Sequence, residues 1–331
     1  MGDVAMTVPV IKNLLQQNPA LQITVVSNAF FEPLFQDVDR CNFHPAHLKK
    51  QHKGLAGIFR LYKELKTLHQ FDAVADLHSV LRSFLLKSFF KISGIKNIAI
   101  NKGRKEKKLL TQKENKQFHQ LPSSFQRYAD VFMQLGYHCV LKNEQPVYSK
   151  KMLPATASHF FSPQQKTIGI APFAQHIEKM YPLQKMKHLA AQLHKEGWIV
   201  LLFGGGKEEA LILQSWQDEI AGNVFNIAGK FSLTQELAII SHLNKMISMD
   251  SANMHLASLF GVEVISVWGA THPFAGFYGW GQNISNMVSI DLPCRPCAVF
   301  GNKPCWRGDH ACMQMITESM ITEKTQEKPP I

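Results

Sequence analysis

Residues Met246–Gly269, MISMDSANMHLASLFGVEVISVWG, leave the chain few ways to fold. A short apolar run ends at Asp250 and Ser251. A small-residue helix follows from Asn253, through Leu256, Ala257 and Ser258, and stops at Gly261. A second apolar run, Val262–Val267, ends before Gly269. Apolar runs of strand length joined by a helix are the mark of parallel strands in one sheet. The helix start also matters for chemistry. Its backbone N–H groups form an anion site, flanked here by Asp250, Ser251 and His255. A phosphorylated, hydroxyl-rich ligand suits that set.

The same alternation runs along the whole chain. In the first half, strands are expected at Leu21–Ser27, Phe71–Leu77 and Lys96–Asn101. Helices are expected within 2–20 and at Asn28–Phe35, Leu55–Leu68, Ser79–Phe90 and Pro122–Leu135. Pro146, Pro154 and Pro163 break the rhythm, which places the linker at 145–166. The second half resumes with strands at Thr167–Ala171, Trp198–Phe203, Val224–Ile227, Lys245–Met249 and Val262–Val267. Helices alternate with them at Leu183–Glu196, Glu208–Ile220, Leu233–Leu243 and Asn253–Phe260, and a short helix is expected in the polar tail before Pro329. The reading is α/β, with two Rossmann-like domains at 1–150 and 151–331.

A chain of 331 residues with 45% hydrophobic and 18% charged residues has the make-up of a packed globular protein. It contains no apolar run of about 18 residues, the length a membrane-spanning helix needs. Neither a signal peptide nor a helix-turn-helix, zinc-finger or RNA-recognition signature is visible. The expectation is a cytoplasmic protein that does not bind nucleic acid. The net charge of +11 nevertheless calls for anionic partners or a solvated basic face. Lys102, Arg104, Lys105, Lys107 and Lys108 crowd one expected loop. Cys41 and Cys139 read as core residues. Cys294, Cys297, Cys305 and Cys312 fit reduced thiols, a disulfide or a structural zinc site, and spacing does not choose among them.

In open α/β sheets ligands bind at the carboxyl ends of the strands. Four loops there carry suitable groups: Gly2-Asp3-Val4, Ala171–Pro182 with Lys179, Gly204–Gly206 with Glu208 and Glu209, and Asp250–His255. Each has a plain alternative. Asp250 fits a helix cap, His255 a buried core histidine, Lys179 a solvated lysine, and the three glycines a tight turn. Neither a dinucleotide fingerprint nor a P-loop is present.

The ordered set of motifs resembles glycosyltransferase family 9, the heptosyltransferases of lipopolysaccharide core synthesis. The resemblance rests on Gly2-Asp3-Val4 with Thr7 and Pro9, Asp76 with Arg82, and Lys179 with Pro182. It rests further on Phe203-Gly204 with the acidic pair after it, and on Asp250-Ser251-x-x-Met254-His255-x-Ala257. Trp268-Gly269-Ala270-Thr271 with Pro273 and the Cys-Arg-Pro-Cys run complete it. It implies a GT-B fold, an acceptor domain and a nucleotide-sugar domain facing a cleft. It also implies an inverting transfer of heptose, or a related sugar, from ADP-heptose to a lipopolysaccharide inner-core type acceptor, with no cofactor and no catalytic metal. The chain has no D-x-D run next to an expected strand to hold a metal-bound diphosphate, which agrees.

By the same resemblance Asp3 is the general base, and Lys179 meets the donor phosphate. Asp250, Ser251 and the amides of Ala252, Asn253, Met254 and His255 bind the donor, and Glu208 or Glu209 binds the ribose. Arg82, Lys102, Arg104 and Lys105 face an anionic acceptor. The expected partners are a nucleotide sugar, an anionic glycolipid and an anionic membrane surface, with a monomer lying at the inner face of the inner membrane. The alternatives are another GT-B nucleotide-sugar enzyme, such as an epimerase, or a non-catalytic nucleotide-binding relative. One departure stands out: family members have a strand of roughly eight residues before Gly-Asp-Val, where this sequence has Met1. The expectation is therefore either a natural chain that is longer or a present one that is unstable and weakly active.

Overall fold

The computed structural model describes residues 1–141 and 145–326. The chain forms two compact units. The first contains residues 3–104 and 122–144, and the second contains 145–331 together with the excursion 105–121.

In the first unit, helix α1 (Gly2–Gln17) is followed by strand β1 (Ile23–Ser27) and a 3-10 turn at Ala29–Leu34. Next come β2 (Cys41–Pro45), α2 (Gly54–Leu68), β3 (Ala73–Asp76), α3 (Leu81–Ile92) and β4 (Lys96–Ala99); α4 (Arg104–Thr111) then opens the excursion that belongs to the second unit, and α5 (Ser124–Leu135) returns to the first. β1 pairs in parallel with β2, and β3 in parallel with β4, as two separate two-stranded sheets. β1 is half-buried along its whole length. A compact group, Leu61, Leu65, Phe90 and Ala46, packs α2 and α3 onto these strands.

Two expectations change here. Gly2-Asp3-Val4 is the first turn of α1 and not a loop. The basic residues after β4 are likewise not all loop, because Arg104, Lys105, Lys107 and Lys108 lie on α4, where Lys107 and Leu110 are buried. Strand β2 was not foreseen: its sequence, CNFHP, is short, mixed in polarity and ends in proline.

The second unit is built on one sheet of six parallel strands. It comprises β5 (Thr167–Ala171), α6 (Leu183–Lys195), β6 (Ile199–Leu202), α7 (Lys207–Ile220), β7 (Val224–Asn226) and α8 (Leu233–Ser241). These are followed by β8 (Lys245–Met249), α9 (Ala252–Leu259), β9 (Glu263–Val267), β10 (Met287–Val288), α10 (Ala311–Gln314) and α11 (Glu318–Gln326). The strand order is β10-β9-β8-β5-β6-β7. The short helix expected in the tail is α11; residues 327–331 lie outside the described residues.

Strands β5, β6 and β8 are buried at every residue, as a sheet covered on both faces requires. Alternate residues, Ile168, Ile170, Val200, Leu202, Ile247, Met249, Ile265 and Val267, point into one apolar cluster. There they meet Met186, Leu189 and Leu193 of α6 and Leu213 and Trp216 of α7. The in-between positions include the small Gly169, Ser248 and Ser266. Burial of this kind stabilises at about 25 cal/mol per Å² of apolar surface and dominates the fold.

α2 supplies a test of packing against propensity. A Cβ at Gly57 would lie 2.3 Å from the His52 carbonyl carbon. Alanine at a helix position ordinarily gains up to about 1 kcal/mol over glycine. Gly57→Ala is expected to reverse that sign and lower the urea unfolding free energy by about 1–3 kcal/mol, the scale of overpacking.

Candidate donor site

The site follows from the strand order. β5 leads away to β6 and β7 on one side, and β8 leads to β9 and β10 on the other. The order therefore reverses between β5 and β8, and their carboxyl ends open the crevice where open sheets take ligands. β5 ends at Ala171 and β8 at Met249, so the loops after them begin side by side.

The first of these loops carries a 3-10 turn at Ile177–Lys179, and the second begins with Asp250. Lys179 Nζ lies 2.9 Å from Asp250 Oδ2. The Thr271 hydroxyl, in the loop after β9, donates to the same oxygen at 2.8 Å. Asp250 is 5% exposed and Thr271 1%. A buried carboxylate needs polar partners in place of water, and here a cation and a hydroxyl supply them.

Ser251 takes the N-cap position of α9 in extended conformation, but no side chain caps the helix. Its hydroxyl lies 3.2 Å from that of Ser248. The first amides of α9 thus face the same crevice as Lys179, a cation beside a helix N-terminus. Ala252 and Asn253 are half-exposed, whereas Met254 and His255 are buried in the unit. Met254 is fully enclosed, so only its amide can serve a ligand.

β6 borders β5, and its loop carries Gly204–Gly206. Gly206 has φ 88° and ψ 166°, a conformation that only glycine adopts readily. The Gly205 amide donates to Glu209 Oε2 at 2.6 Å. Glu209 therefore closes its own turn, while Glu208 in the first turn of α7 stays exposed. The sequence offered both carboxylates for one role, and the fold separates their tasks.

Several supports escaped the sequence reading. Arg295 is 7% exposed. Its Nε donates to the Gly269 carbonyl at 2.6 Å, its Nη2 to Trp268 at 3.0 Å and to Thr271 at 3.3 Å, and its Nη1 to Ile290. One guanidinium thus ties down the loop that presents Thr271 to Asp250. Gly301, at φ 73°, lies against the Lys179 stem, where a Cβ would fall 2.4 Å from Cγ. His310 Nδ1 lies 3.0 Å from Glu178 Oε2, beside Lys179 in sequence. Lys116 Nζ donates to the carbonyls of Pro293 at 3.1 Å, Arg295 at 2.7 Å and Pro296 at 3.1 Å. A buried arginine bonded to carbonyls leaves no periodic trace, so only the Cys-Arg-Pro-Cys run marked this region.

Cys294, Cys297, Cys305 and Cys312 are free thiols. Burial pushes Cys312 up to about 11. Among the described residues no group of three or more His, Cys, Asp or Glu side chains could hold a metal ion. Cys139 is fully buried, as expected of a core residue, and Cys41 is half-buried.

In the first unit, Asp3 is exposed in the first turn of α1, where the helix dipole favours a carboxylate. The buried Tyr128 hydroxyl donates to the Asp3 carbonyl at 3.4 Å. Burial, and then the Asp3 charge, holds that phenol far above its usual range. Arg82 is exposed on the first turn of α3, and Asp76 accepts from the amides of His78 at 3.1 Å and Ser79 at 2.7 Å. Lys102 is half-exposed, while Arg104 and Lys105 are exposed.

The family model for glycosyltransferase family 9 (heptosyltransferase) matches residues 58–304, well over half of the chain. The chain belongs to glycosyltransferase family 9. It is a glycosyltransferase, and the loops after β5, β6 and β8 described above lie within the matched span. A lipooligosaccharide heptosyltransferase 2 from Haemophilus influenzae is 26% identical over 293 residues, 82% of each chain. Two solved structures share the fold. A family 9 glycosyl transferase from Veillonella parvula aligns with TM-score 0.77 at 18% identity, over 98% of this chain and 93% of that one. The ADP-heptose lipopolysaccharide heptosyltransferase II of Escherichia coli aligns with TM-score 0.66 at 19% identity, over 97% and 93%.

The loop beside Thr271 gives a pH prediction. Burial, and then the nearby Arg295 charge, lowers His272 from 6.5 to about 4, outweighing the pull of Asp291. Neutral in the folded protein, its Nδ1 accepts from the Phe274 amide at 3.1 Å. As pH falls below 6.5 the unfolded chain takes up the proton first. Stability present above that value is therefore lost as pH drops toward 4. His272→Asn retains a capping acceptor and should flatten this part of the stability–pH curve, read by urea unfolding across the interval.

Proposed function

We propose that this enzyme moves a heptose, or a related sugar, from ADP-heptose to a lipopolysaccharide inner-core type acceptor with inversion at the anomeric carbon. The observation that carries the donor half is the Lys179–Asp250 pair beside the start of α9, at the strand-order reversal. The names of the similar proteins from Haemophilus influenzae and Escherichia coli support the sugar and the acceptor.

In the proposed reaction the acceptor hydroxyl oxygen attacks the anomeric carbon of the donor. Asp3 takes the hydroxyl proton as the new bond forms. The bond from that carbon to the β-phosphate oxygen breaks on the opposite face, and ADP leaves with the electron pair. Lys179 and the amides of Ala252–His255 meet the charge that grows on the diphosphate, so no metal is required in this scheme. Asp250 holds Lys179 in place, and Glu208 is the carboxylate we assign to the ribose hydroxyls, because Glu209 is engaged by Gly205. Arg82, Lys102, Arg104 and Lys105 meet the anionic acceptor. The enzyme works as a monomer at the cytoplasmic face of the inner membrane, where such an acceptor is displayed. No helix among the described residues is long and apolar enough to cross a membrane, which suits a peripheral attachment.

Two substitutions separate the halves of the reaction. Asp3→Asn should cut transfer by at least about a hundredfold, the usual worth of a general base, with the ADP-induced rise in melting temperature intact. Lys179→Met should instead weaken the ADP-induced rise itself. Product mass spectrometry with ADP-heptose and acceptor lipid reads transfer, and undiminished transfer by Asp3→Asn removes Asp3 from the mechanism.

A further inference from the structure

Helix α3, LRSFLLKSFFKI, is apolar on more than one side. Phe90 is its buried residue, and Leu86 packs on the same core group. The opposite side carries Leu81 at 75% exposure, Phe84 at 55% and Ile92 at 83%. Leu81, Leu85, Ser88 and Ile92 fall at helical spacing, so these residues make one stripe along the helix. Helix α2 lies beside it and adds Leu55 at 61% and Phe59 at 40%. The two helices meet through Phe59 and Tyr62 on α2 and Phe89 on α3, with ring centroids 5.2 and 5.6 Å apart. A helix with apolar residues all round is stable where something apolar covers its outer side.

The charges around the stripe select its cover. The two helices carry Arg60, Lys63, Lys66, Arg82, Lys87 and Lys91 against Glu64, the one carboxylate on them, and Lys87 also pairs with Asp76 at 3.7 Å, which leaves the other five cations for an outside partner. Glu64 is engaged by His52 Nε2 at 3.0 Å. Lys63 lies 4.9 Å from the centre of the Phe59 ring and Lys87 5.6 Å from that of Phe84, so cations border the aromatic groups directly. A second copy of the chain meeting this face would set like charges against like. Nucleic acid would answer the charge and leave the leucine and isoleucine side chains in water. An anionic bilayer answers both: acyl chains take the apolar stripe, and headgroup phosphates take the lysines and arginines.

We infer that the outer faces of α2 and α3 form the surface by which this enzyme seats itself on an anionic lipid bilayer. The inference gives a location to the membrane attachment in the proposed function. It is tested without donor or acceptor, so its failure and a failure of the transfer reaction are read separately.

The full chain is sedimented with phosphatidylcholine vesicles that contain or lack phosphatidylglycerol. Wild type should bind the anionic vesicles and leave neutral ones largely unbound, with binding weakened by salt. Leu81→Ser with Ile92→Ser, both exposed and so harmless to the core, should lower the partition coefficient at least about tenfold. Lys63→Gln with Lys91→Gln should lower it several-fold and reduce its salt dependence. Unchanged binding by the serine pair, or absence of wild-type binding to anionic vesicles, overturns the inference. So does a vesicle-free dimer in light scattering that the serine pair abolishes, because a second copy then covers the face.

Discussion

The contact between Lys179 and Asp250 is the constraint on which the donor side depends. A lysine and an aspartate withdrawn this far from water hold each other in place, and removing one partner of a buried ion pair costs about 3–5 kcal/mol. The pair therefore fixes more than two side chains. It sets the spacing between the loop after β5 and the loop after β8, and those loops flank the place where the strand order turns back. Under the proposed function a diphosphate entering there would meet a cation that is already oriented and helix amides that no side chain has capped. Preorganised charge of this kind acts on a leaving group without reorganising during the reaction.

The pair is braced by segments distant in sequence. Thr271 shares the Asp250 oxygen, Arg295 binds the carbonyls of the Thr271 loop, and Gly301 gives the lysine stem room to pass. The 105–121 excursion joins in through Lys116, which reaches the carbonyls on both sides of the Arg295-Pro296 bond. Hydrogen bonds to carbonyls keep a buried guanidinium satisfied where it has no carboxylate partner, and they stiffen an otherwise irregular segment. The cysteine-bearing stretch thus acts as a brace of the donor loops through its arginine and glycine.

Legibility in the sequence followed the physics of each element. Strands β5 to β9 of the second unit announced themselves because a sheet covered on both faces needs continuous apolar runs, and their bounds came within one or two residues, whereas the two-residue edge strand β10 was not foreseen. The helix at Asn253 and the turn at Gly204–Gly206 were visible for the same local reasons. Strand β2 was not, since a short strand of mixed polarity has no period to detect. The basic stretch after β4 read as loop because lysines dominate it, yet Lys107 and Leu110 fall on the inner side of α4 and anchor it. Gly2-Asp3-Val4 read as a loop by resemblance and folds as the first helical turn.

Glu208 and Glu209 show where local pattern stops. They are chemically identical neighbours, and only the Gly205 amide tells them apart. The sequence by itself determined the α/β class, the family and the residue types at the strand ends, because apolar periodicity and ordered motifs are properties of the chain. The tertiary structure alone decided that Lys179 reaches Asp250, that Arg295 holds the loop beside them, and that α3 turns a second apolar side outward. Those facts depend on which strands become neighbours and which helix face the core fills. Strand neighbours and filled faces are set by packing across long sequence distances, where no local pattern records them.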